Sequence, residues 1–223
     1  MENGKEIVYC SGPLFCPEEI GGMSAIAGIL ENEGYGTFLP HRDGLEYYLM
    51  RHVNSPVANL PAPKNLLARV VFALDVYQIV ERCDSFVLNF NGRVPDEGAV
   101  AEAGIAYASG TPMIIYKNDN RTVFNGCDNS MVVCLSHAPL VSDIQKIPGV
   151  LKKVMEKAQG VSPYRGDNIP SVMRDTLKLG RKVWKTMKTL HLNGGEPGQD
   201  AELINQIADI CKEHPDLNPT KDV

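Results

Sequence analysis

Ser85-Phe-Val-Leu-Asn89 is a five-residue stretch with an apolar centre, followed by a polar loop over residues 91–98, and Pro112-Met-Ile-Ile-Tyr116 is a second short apolar stretch. Between them, Ala99 to Ser109 is a stretch of small residues of helical length. Strand, loop, helix and strand in this order, with no hairpin-type spacing, form the unit of a parallel sheet covered on both faces.

The rest of the chain repeats the alternation. Glu6-Ile-Val-Tyr-Cys10 is a β-rich run broken at Ser11-Gly12-Pro13, and residues 17–33 carry apolar side chains at helical spacing. Gly34 to Pro40 holds a second short strand that leads into the polar turn His41-Arg-Asp-Gly44. Residues 66–82 read as a helix with Val70, Val71, Leu74, Ile79 and Val80 on its apolar face, and Met131-Val-Val-Cys-Leu135 reads as a further strand. The expected fold is α/β, a flavodoxin-like or Rossmann-like three-layer arrangement around a central parallel five-stranded sheet. Such sheets bind ligands beyond the carboxyl ends of their strands, here residues 11–15, 40–44, 89–102 and 117–129. Past about Pro148 the strand signals stop, and residues 150–159, 170–192 and 201–214 carry helical periodicity. The expected division is an α/β domain over residues 1–148 and a helical extension over 149–223.

A chain of 223 residues, 43% of them hydrophobic, suffices for one sizeable core plus an appendage. The formal net charge of -5 has the wrong sign for binding nucleic-acid polymers. No apolar run reaches the roughly 18–20 residues of a membrane span, and the first residues lack a secretory layout, so a soluble cytoplasmic protein is expected. The six cysteines form no C-x-x-C pair and read as small core-filling residues, and the five histidines form no H-x-x-x-H pattern, so neither a disulfide framework nor a metal site is signalled. No G-x-G-x-x-G opens the first helix and no G-x-S-x-G is present, which removes the usual dinucleotide and serine-hydrolase signatures.

What remains is a set of carboxylates near the expected strand ends: Asp75, Asp84, Asp96, Glu97 and Glu102. From position alone Glu102 reads as an exposed helix acid near the positive end of the dipole, and Asp84 as a turn or capping residue.

Taken together, several segments resemble the nucleoside 2-deoxyribosyltransferase family. They are Tyr9-Cys-Ser-Gly-Pro-Leu-Phe15, Leu39-Pro-His-Arg-Asp-Gly44, Asp75 with Ile79 ahead of Cys83-Asp84, Asn89-Phe-Asn-Gly92, Asp96-Glu-Gly-Ala-Val-Ala-Glu-Ala-Gly104, Gly110-Thr-Pro, and Arg121 through Asn129-Ser-Met131. In family order they span about residues 5–135. The interval from Asp75 to Asp84 is one residue longer than the resemblance implies, and nothing after about residue 148 has a counterpart.

The resemblance implies cleavage of the N-glycosidic bond of a 2'-deoxynucleoside and transfer of the sugar to another free purine or pyrimidine base, with no cofactor. Glu102 matches the nucleophile, which stabilises an oxocarbenium-like transition state and traps it covalently. Tyr9 matches the hydroxyl that orients it, and Asp75 the acid near the departing base. Asp96 matches the residue that meets the sugar's 5' end, where a carboxylate accepts from a hydroxyl but repels a phosphate. Arg93 in the same loop is a possible anion contact. Gly12 and Phe15 line the nucleoside, Arg42 and Asp43 face the base, and Asn129 with Met131 resembles an element supplied to a neighbouring subunit's site. A homodimer or higher homo-oligomer follows. The alternatives are a nucleoside or deoxynucleoside 5'-monophosphate N-glycosidase on the same scaffold and a non-catalytic nucleotide-binding module.

Overall fold

The computed structural model describes residues 4–47, 64–92, 94–122, 126–158, 169–191 and 199–212. Arg93, His52 and the carboxy-terminal tail lie outside the described residues.

Among the described residues, four parallel strands form one sheet: β1 (Ile7–Ser11), β2 (Gly36–Phe38), β3 (Ser85–Asn89) and β4 (Met113–Tyr116). Their order is β2-β1-β3-β4, so the direction of winding reverses between β1 and β3. That reversal opens the crevice in which doubly wound folds bind ligands. The expected fifth strand is absent from the sheet: residues 130–133 form a short helix, α5 (Ser130–Val133). Asn129 caps it by accepting the Met131 amide at 3.0 Å. Beside β4 the place is taken by a single parallel bridge from Tyr116 to Val141, with the Val141 amide donating to the Ile115 carbonyl at 2.9 Å.

Helices α1 (Pro17–Asn32) and α6 (Ile147–Ala158) cover one face of the sheet, burying Met23, Ile26, Leu30, Ile147 and Leu151 against Val8, Val87 and Ile114. Helix α4 (Glu97–Ala108) covers the other, with Ala99, Ala103 and Ala106 buried. These alanines recur at one-turn spacing, so the helix presents a flat seam to the strands. Asp84 has the structural role expected of it: its Oδ2 accepts the Ile7 amide at 2.8 Å, and its own amide donates to the Ile7 carbonyl at 2.7 Å.

The chain forms two compact units, residues 1–40 with 78–169 and residues 41–77 with 170–223. The first is the sheet unit, and it includes α6, which composition groups with the extension. The second holds the turn α2 (Pro40–Asp43) from His41 onward, α3 (Lys64–Tyr77), α7 (Ser171–His191) and α8 (Gln199–Lys212). Its core joins Leu45, Leu67, Val70 and Leu74 to Leu179, Val183, Met187, Leu203 and Ile207. Gly180 lets α7 cross α3 closely: a Cβ there would penetrate the Ala73 carbonyl oxygen and sit 2.6 Å from the Tyr77 Cβ.

After α3 the backbone widens into a π-helical turn at Gln78–Arg82, closed by the Cys83 amide on the Gln78 carbonyl at 2.7 Å. A π turn is how a helix takes up one additional residue, and it falls within the Asp75–Asp84 interval, which is one residue longer than the family resemblance implies. The thiols of Cys10 and Cys83 are buried as expected, whereas those of Cys127 and Cys134 are exposed. Among the described residues no helix is long and apolar enough to cross a membrane.

Candidate active site

Tyr9 is the central residue of β1 and has no exposed surface. It pairs in register with Phe38 on β2 and Phe86 on β3, so three aromatic rings lie in a row across one face of the sheet. Both neighbouring ring centroids are 5.4 Å away, and the Phe86 ring is nearly parallel to that of Tyr9. Held on both sides, the Tyr9 hydroxyl donates to Glu102 Oε1 at 2.8 Å. Ser11, two residues further along the same strand, donates to Glu102 Oε2 at 2.5 Å.

Glu102 is therefore not the exposed helix acid that position alone suggests. It is half-buried on α4, and each of its oxygens accepts a hydroxyl. Hydrogen bonds to a carboxylate favour its charged form, which suits an anionic nucleophile. A search of the sequence for catalytic patterns passes over Ser11, although strand alternation puts it on the same face as Tyr9.

The backbone beyond β1 is shaped by close approach. A Cβ on Gly12 would lie 2.6 Å from Met23 Sδ and 2.7 Å from Asn89 Cβ, so only glycine lets the chain pass the end of β3 here. Phe15, 80% exposed, and Asp96 then line a cleft of about 380 Å³ with Pro13, Glu19, Pro95 and Gly98. Asp96 is also the N-cap of α4, its Oδ1 accepting the Ala99 amide at 2.6 Å. Glu102 is not among the residues that line this cleft. A larger hollow of about 540 Å³, around Lys5, Tyr35 and Lys152, sits at the amino ends of the strands, the opposite end from ligand sites in such sheets.

The loops after β3 and β4 are fastened together by charge. Lys117, its side chain 7% exposed, lies 2.7 Å from Asp119 and 3.4 Å from Asp128. Asp119 also accepts the Gly92 amide at 3.0 Å and pairs with Arg121 at 2.9 Å. Burial opposes ionisation of Asp119, but Lys117, the Gly92 amide and Arg121 outweigh it and hold the carboxyl well below the usual carboxylate range. A depressed acid stabilises the fold above its unfolded value of about 3.9, and that contribution is lost as pH falls through the folded value. Asp119→Asn should therefore cost roughly 2 kcal/mol at neutral pH. In thermal melts the gap from wild type should narrow steadily below about pH 4.

Asn129 and Met131 lie at the start of α5. The Asn129 side chain caps that helix, and Met131 is 79% exposed. Arg42, Asp43 and Asp75 belong to the helical unit. Arg42 and Asp43 pair at 2.9 Å. Asp75 is buried next to Glu46, whose carboxyl is pushed up chiefly by burial. Glu46 carries no sequence signal beyond its nearness to the His41-Arg-Asp-Gly44 turn. Among the described residues, no cluster of His, Cys, Asp and Glu could hold a metal ion.

A family model described as nucleoside 2-deoxyribosyltransferase matches residues 8–161, more than half of the chain. Among solved structures, the chain is similar to a conserved protein from Enterococcus faecalis V583, with 19% identity and a TM-score of 0.52 over 67% of this chain and 99% of that one. It is also similar to a 2-deoxyribosyltransferase from the psychrotolerant bacterium Bacillus psychrosaccharolyticus, with 18% identity and a TM-score of 0.49 over 65% of this chain and 95% of that one. No curated protein matches the sequence. At these identities the first structural likeness speaks to the fold.

Proposed function

Because the chain belongs to the nucleoside 2-deoxyribosyltransferase family, we propose that it moves the deoxyribosyl group of a 2'-deoxynucleoside to another free nucleobase through a covalent intermediate on Glu102. The observation that carries this reading is the paired hydroxyl support of the Glu102 carboxylate by Tyr9 and Ser11. In the first half-reaction a Glu102 oxygen attacks C1', the C1'–N bond breaks, and its electron pair leaves with the base. Asp75 gives that base a proton. In the second half-reaction a nitrogen of the incoming base attacks C1', the C1'–O bond breaks, and the displaced proton returns to Asp75. Two inversions retain the β configuration.

Asp96 accepts from the 5'-hydroxyl in this reading, and the sugar and base rest against Phe15 and the glycine passage at Gly12. Arg42 and Asp43 read the base edge. Asn129 and Met131 complete the site of a neighbouring subunit, making a homo-oligomer the working form, and the exposure of Met131 is compatible with that use. All of these residues fall within 1–148, the reaction needs no cofactor, and the work is nucleoside salvage in the cytoplasm.

The test is exchange. Deoxyinosine or thymidine incubated with free adenine should yield deoxyadenosine. Release of free sugar without exchange would make the protein an N-glycosidase instead. Efficient turnover of deoxynucleoside 5'-monophosphates would overturn the role given to Asp96.

A further inference from the structure

We infer that Ser11 is a positioning residue for the nucleophile, holding one oxygen of the Glu102 carboxylate while Tyr9 holds the other. The inference rests on the role proposed for Glu102. Tyr9 and Ser11 leave the same face of β1, and Ser11, 1% exposed, lies at the strand's carboxyl end. One donor would leave the carboxylate free to turn about its terminal bond. Two donors, at 2.8 Å on Oε1 and 2.5 Å on Oε2, fix its plane as well as its direction. Charge-assisted bonds of this length are the strong ones.

The two donors differ in freedom. Tyr9 is held between Phe38 and Phe86, so its hydroxyl stays where the ring puts it. The Ser11 hydroxyl turns about a single bond. When the carboxylate attacks C1', the attacking oxygen becomes an ester oxygen and a poor acceptor, whereas the other becomes a carbonyl oxygen and keeps its donor. The donor able to let go is Ser11. Oε2 is thus the attacking oxygen, and Tyr9 remains on the carbonyl Oε1 of the glycosyl-enzyme. When the second base arrives and the C1'–Oε2 bond breaks, negative charge returns to Oε2 and the Ser11 hydroxyl swings back to meet it. Ser11 therefore assists breakdown of the intermediate more than its formation.

The experiment compares Ser11→Ala and Ser11→Cys with wild type. Cysteine refills the space but supplies only a weak donor. The Glu102 carboxyl is titrated by NMR in ligand-free protein labelled at glutamate, with Glu102→Gln assigning the signal. Both variants should titrate at higher pH than wild type. Both should lose about tenfold to a hundredfold in kcat, with a larger share of enzyme carrying the sugar at steady state by intact mass. Wild-type titration in Ser11→Ala would overturn the inference. So would recovery of wild-type titration and kcat in Ser11→Cys, because packing alone would then account for the serine. Loss of kcat without accumulation of the glycosyl-enzyme would overturn the assignment of Oε2. If the wild-type protein exchanges no base at all, the proposed activity fails while the titration still decides whether Ser11 governs Glu102.

Discussion

Glu102→Gln should remove about four orders of magnitude from the exchange rate while leaving the fold intact. The substitution keeps the shape of the side chain and still offers one oxygen to the Tyr9 and Ser11 hydroxyls, which donate to the two carboxylate oxygens in the native site. What it loses is the negative charge, and with it the oxygen able to form a stable bond to C1'. The wild-type protein, quenched during turnover of a slow donor, should gain the mass of one deoxyribosyl group, and the variant should gain none. Far-UV circular dichroism would verify that the variant is folded. Activity in Glu102→Gln above about a tenth of wild type would remove the nucleophile from the scheme.

The largest expected loss of stability comes from Gly180→Ala. An added methyl would drive into the Ala73 carbonyl oxygen and the Tyr77 Cβ, both on the helix that α7 crosses. A backbone oxygen cannot swing aside as a side chain can, so the helices must part along the seam that buries Leu74, Leu179 and Val183. The cost should be about 4 kcal/mol, which corresponds to a thermal midpoint lower by roughly 10 °C for a chain of this size. Gly21→Ala is the control, because a Cβ there meets nothing within 4 Å. Relief of the glycine penalty in a helix should leave that variant as stable as wild type or about 0.5–1 kcal/mol more so. Equal melting of the two variants would show that the crossing tolerates a methyl group.

The sheet was legible because each strand is a short apolar run ended by glycine, proline or asparagine, and the run at Ser85–Asn89 matches β3 residue for residue. Met131-Val-Val-Cys-Leu135 has the same β-branched look but became the helix α5, because Asn129 caps it and Val141 takes the place beside Tyr116. Strand propensity measures how well a side chain fits a neighbouring strand, and here there was none to fit. The union of residues 41–77 with the carboxy-terminal helices was illegible for a related reason. Periodicity shows that α3 has an apolar face, but it does not say that Leu179, Val183 and Leu203 will cover it. In the site, family resemblance singled out Tyr9 and Glu102, and the fold joins the two by a hydrogen bond. Ser11 and Glu46 were not singled out, because a lone serine or glutamate carries no signature until the fold brings it a partner.

The row of rings at Phe38, Tyr9 and Phe86 ties chemistry to the sheet's most fragile edge. β2 is only three residues long and, among the described residues, pairs with β1 alone. Edge strands of this kind fray at a small fraction of the free energy of global unfolding. Each departure of β2 takes away one wall of the Tyr9 ring and with it the fixed aim of the hydroxyl. Catalysis should therefore fade on warming before the sheet itself melts, so that enzyme rate works as an early thermometer of local loosening.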